Sequence, residues 1–314
     1  MLSGETSCRV GVDENGLGAR LGPLVVTAVL AEVTSLGERF LGRRLRGKIT
    51  EDLGDSKRLV SHSNVALGEA WARALTGDQH TTPQGLFEQL SKESPGSLRQ
   101  HCPSHIESQC WGVEAERFES SAPLRARVSG HVEKLRARGV VVRSVQVSTL
   151  CTQRLNQARR QGKNRFVSDL HAMEGLLLSM RERAGTDIRA VCGKVGGMSD
   201  YDRFFGPLSG RLHAELTMTR KRSAYFFPGL GEVHFVQDAD ACDPLVMLAS
   251  LVGKYVRELL MARVTRFYPE GAAEPSVSGY HDARTDEWVA ATERRRRALR
   301  IVDDCFERAR DIPS

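Results

Sequence analysis

The chain has 314 residues, of which 40% are hydrophobic and 27% charged, and its formal net charge is +6. This length can bury one large core or two modest ones, and the composition excludes a mainly disordered chain. The longest apolar stretch near the start, residues 21–31, is shorter than the ~20 residues that cross a bilayer, so we expect no membrane partner. Basic side chains gather at residues 43–48, 220–222 and 294–297, a distribution typical of proteins with polyanionic partners.

The seven cysteines are odd in number and include no Cys-x-x-Cys pair, and no apolar signal segment opens the chain. We therefore expect reduced thiols and a cytoplasmic location. Cys102, His105 and Cys110 have a spacing that could hold zinc, although it matches no strong zinc template. The alternative, thiols and an imidazole without a metal, stays open.

The first predicted elements are two strands with acids at their junction. Residues 8–14 predict a short strand that ends in Asp13 and Glu14, residues 15–18 a flexible turn, and residues 24–30 a second strand. Adjacent residues on a strand point to opposite faces, so both carboxylates can serve one site only if the strand ends or twists here.

A loop with the sequence Asp55-Ser56-Lys57 precedes an amphipathic run to Leu75. This pattern predicts one or more helices whose first backbone N–H groups, with Lys57, are available to a phosphate. The alternative is an ordinary helix cap formed by Asp55 and Ser56.

The middle of the chain alternates helices and strands after a polar segment. Residues 77–121 have the composition of a surface insertion; the elements predicted after it are a helix at 124–138, a strand at 140–147, a helix at 167–183, a strand at 188–192 and a short helix at 201–205. This alternation predicts an α/β fold, with a mixed or parallel sheet covered on both faces.

A hairpin is predicted from residues 212–219 and 223–227, with the basic triplet 220–222 at its tip. Basic groups beside Tyr225, Phe226 and Phe227 could hold a nucleic-acid strand by phosphate pairing and base stacking. The alternative is a solvated turn whose aromatic rings pack inward.

A second acidic segment follows the apolar run 233–236. Asp238 and Asp240 would leave the same face of an extended chain, and Asp243 and Pro244 suit the cap and first turn of a helix that runs to about residue 261. Strand, acid and buried helix are the order of an α/β active site. The alternative is a helix cap with spare surface acids.

The C-terminal part contains a loop at residues 276–285 that positions Tyr280, and then a predicted helix to about residue 310. Five apolar side chains of this helix are expected to face inward: Trp288, Val289, Leu299, Val302 and Phe306. The arginines at 294–297 are expected to lie largely in water. No linker separates independent domains, so we predict a single domain over residues 1–314.

Several motifs in order together resemble the type 2 ribonuclease H (ribonuclease HII) family. They are residues 11–18 (GVDENGLG), 22–26, 55–59, 239–241, 244–254 and 278–280. The Ala-Asp-Ala and Ser-Gly-Tyr forms are similar to the archaeal and eukaryotic branch. The resemblance leaves out the segments near 77–121 and 208–225, which look like insertions.

The resemblance implies a ribonuclease H-like mixed five-stranded sheet with helices on both faces, plus a helical C-terminal extension from about residue 285. It also implies metal-dependent endonucleolytic cleavage of the RNA strand of RNA–DNA hybrids, or cleavage at ribonucleotides embedded in duplex DNA. Family members hold two Mg²⁺ or Mn²⁺ ions with four carboxylates, because hard cations prefer oxygen ligands.

Carried over by position, the resemblance assigns Asp13, Glu14 and Asp240 as catalytic, metal-binding acids. The family's third acid is missing: Gly193 stands in its place, and Lys194 beside it adds a positive charge where a cation should lie. Asp238 is a possible substitute because it would share a face with Asp240.

The resemblance also implies substrate contacts. Gly16, Leu17 and Gly18 match the family's glycine loop, whose backbone contacts the ribose 2′-OH, but Leu17 replaces an arginine that contacts phosphate. Tyr280 matches a tyrosine that stacks on the sugar. Ser56 and Lys57 belong to the matched segment that faces the substrate.

Two other functions are weighed against this enzyme. One is a catalytically degenerate protein that binds hybrid nucleic acid or a protein partner without cleaving, which Leu17, Gly193 and Lys194 favour. The other is an unrelated α/β protein with capped helices.

Overall fold

Seven β-strands form one mixed sheet in the computed structural model, which describes residues 6–114, 116–195, 198–268 and 277–310. The strands are β1 Ser7–Asn15, β2 Leu24–Val33, β3 Val140–Leu150, β4 Ile188–Gly193, β5 Ala214–Met218, β6 Arg222–Phe227 and β7 Gly231–Val236. Their order across the sheet is β3-β2-β1-β4-β7-β6-β5.

Three neighbouring strands of the sheet are parallel. β1 pairs in parallel with β4, and β4 with β7, whereas β2, β3, β6 and β5 join by antiparallel pairing. The carboxyl ends of β1, β4 and β7 therefore share one edge of the sheet. The predicted mixed α/β class is confirmed, but the sheet has seven strands rather than five. The additional two, β5 and β6, form a hairpin beside β7 where an insertion was expected.

Helices occupy the segments between and after the strands. They are α1 Ser35–Leu41, α2 Ser56–Leu59, α3 Ala66–Thr76, α4 Pro83–Leu90, α5 Pro95–Arg99, α6 Ser108–Trp111, α7 Ala122–Ala137, α8 Thr152–Arg160, α9 Arg165–Ala184, α10 Ala239–Cys242, α11 Pro244–Arg266, α12 Ala283–Ala291, α13 Glu293–Ala298 and α14 Asp303–Phe306. The described helices include none with the length and apolar character to cross a membrane.

The sheet carries a hydrophobic core on each face. Along β2, Val25 and Val29 pack into a core with α11, α3 and α7, whereas Val26 and Leu30 pack into a second core with α9. This alternation is the period of two that an extended chain imposes. It confirms the prediction of helices on both faces.

The segment at 77–121 contributes to the first core. Leu86, Phe87 and Leu90 of α4, with Leu98 and Trp111, are buried there. Thr82 and Ser94 cap the short helices α4 and α5. The buried residues of α4 do have helical spacing, but α4 has only eight residues and α5 and α6 have five and four, which is shorter than the roughly 11–18 residues over which a periodic pattern is recognised. The segment was therefore interpreted as a surface insertion.

The C-terminal part is three short helices rather than one long helix. The Thr292 hydroxyl donates to the carbonyl of Trp288, and Arg300 has a left-handed φ of 53° that ends the helical path after α13. Trp288 and Phe306 are buried as predicted, but Val302 is 45% exposed.

The arginines at 294–297 were predicted to lie largely in water, and this prediction does not hold for Arg296, which is half-buried. Its guanidinium lies 3.9 Å from the centre of the Phe306 ring.

Gly11 allows α11 to lie directly against β1. A Cβ atom at this position would meet the Leu245 carbonyl carbon at 2.3 Å and the Val246 nitrogen at 2.5 Å, both backbone atoms. We expect Gly11→Ala to lower the free energy of unfolding by about 1–3 kcal/mol, because β1 and α11 would have to separate. Urea unfolding followed by circular dichroism measures this change.

Gly130→Ala is the matched control, since Gly130 lies inside α7 with open space around its Cβ position. There alanine should stabilise the protein by about 0.5–1 kcal/mol. Equal stabilities for the two variants would contradict the close approach of α11 to β1.

Candidate active site

A cleft of about 300 Å³ opens at the carboxyl edge of the parallel strands. All ten residues predicted to act on substrate or metal line it: Asp13, Glu14, Gly16, Leu17, Gly18, Ser56, Lys57, Asp238, Asp240 and Tyr280. Gly193 and Lys194 line it as well. Segments more than 200 residues apart in sequence are therefore gathered around one space.

The carboxylates of Asp13 and Glu14 lie side by side against Gly193. A Cβ atom at Gly193 would be 3.0 Å from Asp13 Oδ1 and 3.3 Å from Glu14 Oε2. Two adjacent residues of β1 thus do reach one site. Cys192 instead packs in the second core, so Gly193 is the β4 residue that faces the cleft.

The acids of the cleft disturb one another electrostatically. Burial and the neighbouring Glu14 raise the pKa of Asp13 well above its ordinary value, and burial and the carboxylate of Asp169 raise the pKa of Glu14 to about 8. Burial also raises the pKa of Asp240. Lys57 lowers all three pKa values, so it is the cation that offsets part of this repulsion.

Asp169 is a buried acid close to Asp13 and Glu14 that the sequence analysis did not single out. It lies on α9 and is fully buried, and neither of its carboxylate oxygens has a hydrogen-bond partner among the described residues. Burial, and then the charge of Asp13, raise its pKa well above the ordinary value. The available signal was an acid directly before Leu170, on the face of α9 that the pattern assigns to the core.

Asp238 and Asp240 do not share a strand face, because β7 ends at Val236. Asp238 has a left-handed φ of 54° and is exposed at the rim, whereas Asp240 is half-buried in the first turn of α10. The geometric reason for predicting Asp238 as a substitute ligand is therefore wrong. Both side chains nevertheless line the cleft.

The ammonium group of Lys194 is held by backbone oxygens of the loop between β5 and β6. Its Nζ donates to the carbonyls of Thr219 at 3.2 Å and Arg220 at 2.8 Å. The expectation that this charge occupies the position of a cation is therefore corrected. Because Lys194 also lines the cleft, the hairpin tip lies no farther from the cleft than the length of this side chain.

The aromatic residues of the hairpin mostly pack inward. Tyr225 and Phe227 are fully buried, and Phe226 is 38% exposed. Of the basic triplet, Arg222 donates to His234 Nδ1 at 2.7 Å, while Arg220 and Lys221 are exposed. The hairpin therefore presents charge at its tip, and two of its three aromatic rings are not available for stacking.

The glycine loop and the Tyr280 loop share one wall of the cleft. The backbone N–H groups of Arg20 and Leu21 both donate to the Gly279 carbonyl at 2.9 Å. The guanidinium of Arg257 lies 4.6 Å from the centre of the Tyr280 ring. Leu17 is half-buried against the second core, so it does not replace the phosphate contact of an arginine.

Arg308 hydrogen-bonds to backbone carbonyls of the glycine loop and of the segment that follows it. Its Nη1 donates to the Gly16 carbonyl at 2.5 Å and its Nε to the Gly22 carbonyl at 2.9 Å. The C-terminal segment that follows α14 is therefore part of the frame of the cleft. No sequence pattern had indicated this role for Arg308.

Ser56 is linked to Asp13 through the side chain of Ser250. Its Oγ lies 2.7 Å from Ser250 Oγ of α11, and the Ser250 side chain hydrogen-bonds to Asp13. Asp55 accepts the backbone N–H of Lys57 at 2.9 Å, as the predicted cap would. This cap brings Lys57 to the cleft.

The described residues contain no group of three or more His, Cys, Asp or Glu side chains that could hold a metal ion as they lie. Of the possible zinc ligands, the thiols of Cys102 and Cys110 contact each other, but His105 Nε2 lies 3.2 Å from the carbonyl oxygen of Arg300 instead. All seven cysteines are free. The crowded acids of the cleft, and the unpartnered carboxylate oxygens of Asp169 beneath it, nevertheless fit a hard cation in donor chemistry. Binding one would require these side chains to turn toward each other.

The contacts of Arg308 make its truncation a test of how the glycine loop is held. In Arg308→Ala the carbonyls of Gly16 and Gly22 lose a charged donor, so we expect the free energy of unfolding to fall by about 2–3 kcal/mol. We also expect faster hydrogen exchange at the amides of Arg20 and Leu21. Arg297→Ala, which removes an exposed ion pair with Glu293, should change neither; unchanged exchange in Arg308→Ala would refute the bracing role.

The sequence matches no protein-family model and no curated protein. Among solved structures, the chain resembles RNase HII in a PCNA:RNase HII complex from Archaeoglobus fulgidus, with 18% identity over 98% of this chain and 96% of that one and a TM-score of 0.42. It also resembles Bst-RNase HIII in complex with Mn²⁺, with 15% identity over 92% and 71% and a TM-score of 0.40. For Aquifex aeolicus RNase H3 the values are 13%, 95%, 70% and 0.43. At these identities and TM-scores, the likenesses carry no conclusion about activity or ligands.

Proposed function

We propose that the protein is a metal-dependent ribonuclease H that cleaves the RNA strand of RNA–DNA hybrids, or cleaves at ribonucleotides embedded in duplex DNA. The observation that carries this proposal is the convergence of Asp13, Glu14 and Asp240 in one cleft with the Gly16–Gly18 loop and Tyr280. Carboxylates that can hold a metal ion, beside a backbone loop and an aromatic ring that can contact a sugar, suit the hydrolysis of a phosphodiester next to a ribose.

The proposed substrate contacts divide between sugar and phosphate. The backbone of Gly16–Gly18 and the ring of Tyr280 form one wall, where they can recognise the 2′-OH that distinguishes RNA from DNA. Lys57 lies in the same cleft as a positive charge for a phosphate. The Gly279 carbonyl, which accepts from Arg20 and Leu21, fixes the spacing of the two loops.

Asp13, Glu14 and Asp240 are the proposed ligands of Mg²⁺ or Mn²⁺, with Asp238 available at the rim. Such an ion would activate water and stabilise the leaving oxygen when bound. The protein's own part is to hold the acids: Ser250 hydrogen-bonds to Asp13, and Lys57 offsets the repulsion among the three carboxylates.

The second candidate is a catalytically degenerate protein that binds hybrid nucleic acid or a protein partner without cleaving. Gly193 favours it, because β4 brings no carboxylate to the cleft, and so does the finding that the described acids form no closed ligand set. A binding protein would need the loops and basic groups but not the metal.

The cleavage proposal predicts that Asp13→Asn abolishes nicking of a duplex containing one ribonucleotide in the presence of Mn²⁺. A neutral amide is a far poorer ligand for a hard cation, so the rate should fall at least ~100-fold. Nicking is measured on denaturing gels with an end-labelled strand. Asp187→Asn is the matched control, because Asp187 is exposed and directly precedes the N-terminal end of β4, whereas the cleft lies at the C-terminal end.

Wild-type protein that is as inert as Asp13→Asn at high Mn²⁺ would rule out the enzyme. Salt-dependent binding of the duplex that a chelator leaves unchanged would then support the second candidate.

Both candidates predict a phosphate contact by the hairpin tip. Arg220→Gln combined with Lys221→Gln should weaken hybrid binding and reduce the slope of log K against log salt by about 2, if each side chain contacts one phosphate. Fluorescence anisotropy at several salt concentrations measures the slope.

The control for this pair is Lys134→Gln with Arg138→Gln, exposed positions around the end of α7, before β3 at the other edge of the sheet. A slope that changes equally in both double variants would assign the effect to net charge rather than to the tip.

A further inference from the structure

We propose that Asp169 supplies, from α9, the carboxylate that β4 does not provide at Gly193, so that the cation site of the cleft is completed from a helix. This inference rests on the proposed metal-dependent function. It assigns a ligand role to a residue outside every motif that carries the family resemblance.

The first support is that Asp169 is an exception among the buried acids. It is fully buried, and both its carboxylate oxygens lack a hydrogen-bond partner in the described part of the chain. Other buried acids away from the cleft have partners: Asp52 pairs with Arg127, Glu69 accepts from Ser120, Glu116 pairs with Arg263, Glu174 accepts from Leu208, and Glu258 pairs with Arg257. Buried charges in proteins are paired or coordinate metal ions, and a buried polar group without a partner calls for an explanation.

The second support is the position of Asp169 beneath the cleft. Its carboxylate repels that of Glu14 and that of Asp13, the two acids at the end of β1. Its neighbour Leu170 packs in the same core as Val12 and Cys192, the residues just before the ends of β1 and β4. Three acidic groups are thus held near one another by the packing of α9 against the sheet, and the charge of Lys57 lowers the pKa of Asp13 and of Glu14.

The third support is the space at Gly193. A Cβ atom here would lie within 3.3 Å of oxygens of both Asp13 and Glu14. These oxygens lie where the side chain of an acid at this position of β4 would extend into the cleft. An acid missing from the strand and an unpaired acid on the adjoining helix therefore have one common explanation.

The described acids do not form a closed ligand set as they lie, so binding has to draw Glu14 and Asp169 together. The test is therefore a binding measurement that does not depend on turnover. Calorimetric titration with Mn²⁺, and the melting temperature in Mn²⁺ against that in EDTA, are measured for the wild type, Asp169→Asn and Glu174→Gln. Glu174 is the matched control because it is a buried acid of the same helix with backbone partners.

We expect Asp169→Asn to melt in EDTA at or above the wild-type temperature, because an unpartnered buried carboxyl group that is costly to ionise is replaced by an amide of the same shape that carries no charge. We also expect its Mn²⁺ affinity to fall at least ~10-fold and its stabilisation by Mn²⁺ to be lost. Glu174→Gln should keep the wild-type response to Mn²⁺.

Wild-type Mn²⁺ affinity in Asp169→Asn, together with its loss in Asp13→Asn, would overturn this inference and leave the proposed function standing. If the wild type neither binds Mn²⁺ nor cleaves, both fall. Should Asp169→Asn fail to fold, Asp169→Leu, which leaves no polar atom in the core, is used in its place with the same expected loss of binding.

Discussion

Electrostatic repulsion among buried carboxylates is the constraint around which this structure is arranged. Asp13, Glu14 and Asp240 lie in one cleft, and Asp169 lies beneath it. Burial and mutual repulsion both disfavour the ionised forms. Such a cluster persists only because a rigid frame imposes it: Gly11 lets α11 lie against β1, and Ser250 of α11 hydrogen-bonds to Asp13.

The walls of the cleft depend on contacts between distant segments. Arg308 holds the carbonyls of Gly16 and Gly22, and the Gly279 carbonyl accepts two N–H groups of the same loop. On the other side, Lys194 fastens the β5–β6 hairpin to the end of β4. The ammonium of Lys194 therefore binds backbone oxygens of the hairpin rather than lying at the position expected for a metal ion. The contacts of Arg308 make the C-terminal segment part of the site.

Gly193 and Asp169 together bear on whether the protein is an enzyme. Seen alone, a glycine in place of an acid favours loss of activity, because two-metal hydrolysis depends on several oxygen ligands. Under the proposal made for Asp169, the unpaired buried carboxylate on the neighbouring helix would take the part of the acid that β4 does not provide. The resemblance in motif order and the ligand chemistry then agree, without support from the distant structural likenesses.

The sequence by itself determined the alternation of strands and helices, the cap at Asp243 that starts α11, and the grouping of Asp13, Glu14, Asp240 and Tyr280, because periodicity, caps and motif order are local properties of the chain. It predicted the hairpin of β5 and β6 but not that this hairpin extends the sheet beside β7, and it did not determine the division of the C-terminal helix or the roles of Asp169, Lys194 and Arg308. In the sequence, Asp169 is one polar residue on an apolar helix face. Only the packing of α9 shows that it lies close to the carboxylate of Glu14. Which charges meet depends on contacts between residues far apart in sequence, and only the tertiary structure decides those.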